Sequence, residues 1–136
     1  MQNTQPQLVN SAVIFQHDHL HDQIDAINQA IRNHVDHDDL LELLQETLDF
    51  MAFHFLTEDQ IMRELDYPKQ KLEEHREAHA KALNKLRELL SDFSHNNSSP
   101  KRISEFISYW TYLHEVTVDQ ELSLFTDDIL RLEKTH

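Results

Sequence analysis

The sequence predicts an all-α protein, an antiparallel up-down-up-down four-helix bundle, on three observations. The 136 residues include no glycine and three prolines, so few positions break a helix and the loops should be short. Apolar residues recur at three- and four-residue spacing through four segments. Each of those stripes is also interrupted near its middle by ionisable side chains, at positions that put the interruptions in one layer.

The first helix is expected over 13–34, on the stripe Val13, His17, Leu20/His21, Ile24, Ile27/Asn28 and Ile31, which runs out in the acidic loop from His34 to Asp38. The second, over 38–65, carries Leu40, Leu44, Thr47, Met51, His54/Phe55, Glu58, Met62 and Leu65. It stops before Tyr67-Pro68, where Pro68 suits the first position of the next helix. The third, over 68–93, carries Leu72, His75, His79, Leu83, Leu86, Leu90 and Phe93. The tract from Ser94 to Pro100 is a loop ending in an N-cap serine, Ser99, and an N1 proline. The fourth helix, over 100–132, then carries Ile103, Phe106, Trp110, Leu113/His114, Thr117, Glu121, Phe125, Ile129 and Leu132. The length suits one core and is short for two, so a single domain over 1–136 is expected.

Composition narrows the function. A net charge of −13 repels phosphate backbones and anionic membrane surfaces, so neither nucleic acid nor membrane is an expected partner. No apolar run approaches the roughly 20 residues that cross a bilayer, and the first residues lack the basic start of a secretory signal. A cytoplasmic location is expected. With no cysteine in the chain, any metal must be held by nitrogen and oxygen, which favours iron, manganese or zinc.

The interruptions are His21, His54, Glu58, His75, His79 and His114. Buried groups of this kind need partners. His54 lies 12 residues before Asp66, and His79 lies 12 after Tyr67. In antiparallel helices both then sit about 18 Å from the connecting turn. His79 is likewise 15 residues before Ser94, and His114 is 15 after Ser99. At the first loop the match is looser, with His21 13 before His34 and His54 16 after Asp38. His54/Glu58 and His75/His79 are i,i+4 pairs, which share a helix face and can ligate neighbouring metal positions. A lone histidine on an apolar face is more often a satisfied core imidazole. Two such pairs at one height in consecutive helices point instead to a metal centre. His17 and His21 form a third pair, so His17 can take the place of His21. His19, His34, His37 and His95 are expected to be solvated or loop histidines. Asp119, five residues after His114, lies about 140° around an ideal helix and is not singled out by spacing.

Taken together, these fragments resemble the hemerythrins, specifically the bacterial single-domain bacteriohemerythrins. The resemblance rests on Asp18-x-x-His21 with Asn28, His54-Phe55-x-x-Glu58 with Met62, Tyr67-Pro68, His75-x-x-x-His79, and Trp110-x-x-x-His114-x-x-x-x-Asp119 with Leu122. It covers most of the chain and selects His21 over His17 through the register of Asp18 and Asn28. It implies two iron ions (Fe2+/Fe3+) with an oxo or hydroxo bridge. Glu58 and Asp119 would bridge the irons, His75, His79 and His114 would complete one, and His21 and His54 would bind the other, which keeps an open position for dioxygen. Five neutral imidazoles and two bridging carboxylates would leave such a pair little net charge to bury. Ile24, Phe55 and Trp110 are the expected apolar shell of the oxygen pocket.

Two departures from the family stand out. Glu115 follows His114 where relatives usually carry isoleucine, which puts a carboxylate beside the expected pocket. The segment before the first helix also lacks the tryptophan and glycine common there. The leading functional expectation is a non-haem di-iron protein that binds dioxygen reversibly, for storage, delivery or sensing, and not an enzyme. The alternative is a di-iron peroxidase or nitric-oxide-handling enzyme in which Glu115 is a ligand or an acid/base. A weaker third reading is an iron-buffering bundle with a mainly structural metal. The sequence names no protein partner.

Overall fold

The structure, a computed structural model, describes residues 6–115, 120–122, 124, 125, 128 and 131, with side chains from Phe15 onward. All regular structure among them is helical. The helices are α1 (Pro6–Arg32), α2 (His37–Glu64), α3 (Lys69–Ser94) and α4 (Pro100–His114). Residues 120–122 are helical as well. The first helix thus begins ahead of the expected residue 13, and the expected stretch from 116 to 132 lies partly outside the described residues. Among the described residues no helix is long and apolar enough to cross a membrane.

The three connections close in the same way. After α2, Tyr67 N–H donates to Met62 O at 2.8 Å and Asp66 N–H to Arg63 O at 3.3 Å. After α3, Asn97 bonds Asp92 O at 2.7 Å and Asn96 bonds Phe93 O at 2.9 Å. After α1, Val35 bonds Ala30 O at 3.1 Å and His34 bonds Ile31 O at 3.2 Å. Each is a Schellman closure, which needs a left-handed residue just past the helix end. In a chain without glycine that place is taken by His34 (φ 53°), Asp66 (φ 54°) and Asn96 (φ 62°). Asp and Asn tolerate this region through local hydrogen bonding. Ser99 caps α4 by accepting from Arg102 N–H at 3.2 Å, with Pro100 beginning the helix. Pro68 sits one position earlier than expected, as the residue preceding α3.

The four helices pack in a ring, α1 on α2 and α4, and α3 on α2 and α4. Two apolar clusters result. The larger joins Leu20, Ile24 and Ile27 of α1, Leu40 through Phe55 of α2, Ala82 through Phe93 of α3, and Ile103 and Ile107 of α4. The smaller joins Ile61, Met62, Tyr67 and Leu122. On α2, α3 and α4 the residues between these clusters are the ionisable ones, so a polar layer separates two apolar blocks. His37 is not simply solvated. As the first residue of α2 it stacks on Phe93 and donates to Phe93 O at 2.8 Å, tying two chain turns together. That bond raises its pKa, with the neighbouring Asp38 adding to the effect.

Candidate metal centre

Glu58 is the middle of the polar layer. It is fully buried, 0% exposed, as is His54 one turn before it on α2. Its two oxygens face different neighbours. Oε1 lies 2.9 Å from His114 Nε2 and 3.4 Å from His79 Nε2, while Oε2 lies 3.3 Å from His54 Nε2. Two groups of possible ligands therefore share one carboxylate: His17, His54 and Glu58, and Glu58, His79 and His114, with the ligand atoms of each group within 4.8 Å of one another.

The second group sits under aromatic rings. Phe55 stacks flat on His79, centroids 4.1 Å apart and 2° from parallel, and Trp110 stacks on His114 at 4.6 Å and 18°. Phe55 and Trp110 meet edge to face at 4.9 Å. Ile24 belongs to the same core. These contacts fix both imidazole planes and keep water from them.

Polar groups frame the first group instead. His54 Nδ1–H donates to Gln16 Oε1 at 2.7 Å. Gln16, itself buried, donates through Nε2 to Thr57 Oγ1 at 3.2 Å, and Thr57 donates to Phe53 O at 3.0 Å. This chain of bonds leaves Nε2 of His54 as the nitrogen with a lone pair toward Glu58. The ring of His17 lies edge to face with His54 at 5.1 Å.

His21, which the family register selects, stands elsewhere. Its side chain is 55% exposed and bonds through Nε2 to both oxygens of Glu115, at 2.9 and 3.0 Å. Glu115 also lies 3.7 Å from His17 Nδ1. The carboxylate thus spans from α4 to the two α1 histidines. His17 has the closer height match as well, lying 17 residues before His34 against the 16 from Asp38 to His54. That count was the signal available in the sequence for His17. Gln16 had none, since a glutamine beside a histidine is not a pattern.

His75 is buried in the same layer, with Nδ1 3.1 Å from Met62 Sδ and its ring 5.5 Å from Tyr67. Burial lowers its pKa; Glu121 and Glu58 act against that, and His79 and His114 act with it. It belongs to neither three-residue group among the described residues. Asp119 lies outside the described residues. Beside His75, Glu121 accepts from Tyr67 Oη at 2.8 Å and from Lys71 Nζ at 2.6 Å. These bonds, that of Lys71 first, hold the Glu121 pKa below the usual carboxylate value. Burial, then the bond to Glu121, raises that of the Tyr67 phenol.

The residues fit a metal. A fully buried carboxylate ringed by imidazoles calls for positive charge at that point. His79 Nε2, also buried, makes no hydrogen bond among the described residues. The donors are nitrogen and oxygen only, the set that iron, manganese and zinc accept.

Comparison with known proteins agrees with this chemistry. No curated protein and no solved structure matches the chain. The profile of the hemerythrin HHE cation binding domain matches residues 9–122, which span every layer residue named above, and the chain belongs to that family.

Proposed function

We propose that this protein is an antiparallel, up-down-up-down four-helix bundle that holds two iron ions, joined by an oxo or hydroxo bridge, and binds dioxygen reversibly at that pair. One observation carries the reading: Glu58 presents one oxygen to His54 and the other to His79 and His114, the disposition a bridging carboxylate requires. On one side His17 and His54 would hold iron, with His17 in the place that register gives to His21. On the other, His79 and His114 would hold it, with His75 and Asp119 as the family pattern assigns them. Short loops between consecutive packed helices support the alternating direction. Bound ferrous iron supplies the reducing equivalents for dioxygen binding.

The protein's own groups do the rest. Gln16 fixes the His54 tautomer, and Phe55, Trp110 and Ile24 exclude water and so slow oxidation. Neutral imidazoles and a carboxylate limit the charge that must be buried. A second reading, a peroxidase or nitric-oxide-handling enzyme, draws on Glu115. Its carboxylate joins the exposed His21 to His17, an arrangement able to carry protons between solvent and the centre.

Anaerobic loading with ferrous iron, followed by iron analysis and oxygen titration in an optical cell, tests both. The expected result is two irons per chain and an absorption change reversed by removing oxygen. His17→Ala should drop the content to about one iron while His21→Ala leaves it intact, since a lost ligand lowers affinity sharply. Irreversible oxidation, or rapid consumption of added hydrogen peroxide, would move the reading to the enzyme. Iron content well below one per chain in the wild type would overturn both.

A further inference from the structure

Buried threonines in a helix usually return their hydroxyl to the carbonyl one turn back. Buried Thr47 does so, bonding Leu43 O at 3.0 Å, and so does the half-buried Thr57, bonding Phe53 O at 3.0 Å. Thr111 of α4 does not. It is only 2% exposed, and its hydroxyl has no hydrogen-bond partner among the described residues. A desolvated hydroxyl without a partner weakens the fold, so its retention calls for a role outside the protein's own hydrogen bonds.

Its place on α4 says what that role is. Residues three and four apart share a helix face. Three residues on, His114 points to Glu58, and four residues on, Glu115 points to His17 and His21. Thr111 stands one turn from both and, being buried, faces the interior on the strip of α4 between those two directions. The aromatic cover lies over the other group, on His79 and His114. We propose that the Thr111 hydroxyl is a hydrogen-bond donor to a small ligand, an inorganic anion or dioxygen, that enters the centre on the His17–His54 side. This rests on the metal reading above. Thr111 is a specificity-determining residue in that scheme: a buried hydroxyl donor favours ligands that carry negative charge, because charge-assisted bonds are the stronger ones.

Azide is the probe. Wild type, Thr111→Val and Thr111→Ser are loaded with iron, oxidised, assayed for iron, and titrated with azide by absorption. Valine keeps the shape and removes the donor, so azide should bind on the order of tenfold more weakly with a shifted absorption band. Serine keeps the donor and should stay within about threefold. Equal iron content with unchanged azide affinity in Thr111→Val would overturn the proposal. Melting of the metal-free proteins is the second readout. Thr111→Val should melt at or above wild type, since the hydroxyl makes no internal bond among the described residues. A melting point lower by more than about 5 °C would mean that it does, and would also overturn the proposal. If wild type takes up no iron, the metal reading fails and this inference falls with it, an outcome that the iron assay separates from the others.

Discussion

His79 and His114 lie beneath Phe55 and Trp110, ring on ring, whereas His54 and His17 are framed by an amide, a hydroxyl and a carboxylate. Both groups converge on Glu58. The contrast is in what holds the imidazoles. On the aromatic side, orientation comes from packing, which resists motion and water together. On the other, it comes from directed hydrogen bonds, which fix a tautomer while leaving polar atoms beside the site. A single ligand list would treat the histidines as equivalent. Their surroundings make one side closed and the other open to chemistry.

That contrast can be broken by unequal substitutions. Phe55→Ala should have the largest effect on folding, about 3–5 kcal/mol, because it leaves a cavity touching His79, His54, His114 and Trp110. Urea unfolding of the metal-free protein measures it. Gln16→Leu should affect the fold less and the metal more. Without the amide, the His54 ring loses its fixed tautomer, and iron affinity should fall about 10- to 100-fold, read by competition with a chelator. If Phe55→Ala and Gln16→Leu lowered stability and iron affinity in the same proportion, the two sides would not differ as described.

The third effect is smaller and follows from His75. Burial places its folded pKa below the ordinary 6.5. The unfolded chain then binds more protons than the folded one as the pH falls through 6.5, so this contribution is complete above 6.5 and is lost on acidification. Between pH 7.5 and pH 5 the melting temperature of the metal-free wild type should fall relative to that of His75→Gln. Glu121, whose pKa is also depressed, acts in the same direction below its ordinary 4.5. His37, whose pKa is raised, acts the opposite way in both proteins, so a wild type that gained on His75→Gln upon acidification would contradict the burial of a neutral His75.

Much of this arrangement was legible along the chain. Helical periodicity and the lack of glycine are local properties, and they placed four helices whose observed ends, Arg32, Glu64 and Ser94, fall within two residues of those expected. The layer was legible because height along a helix is residue count multiplied by a constant rise, so His54, Glu58, His79 and His114 could be aligned before any packing was known. His17 and His21 share one face of α1 and differ by one turn of height. The residue count favoured His17 while the family register pointed to His21, and the packing of α1 against α2 and α4 decided between them, drawing His17 inward beside His54 and leaving His21 to bond Glu115 at the surface. The same holds for Gln16 on His54 and for the Thr111 hydroxyl, which finds no partner among the described residues. Each depends on which atoms face one another across helices far apart in sequence, and that is a property of the assembled tertiary structure alone.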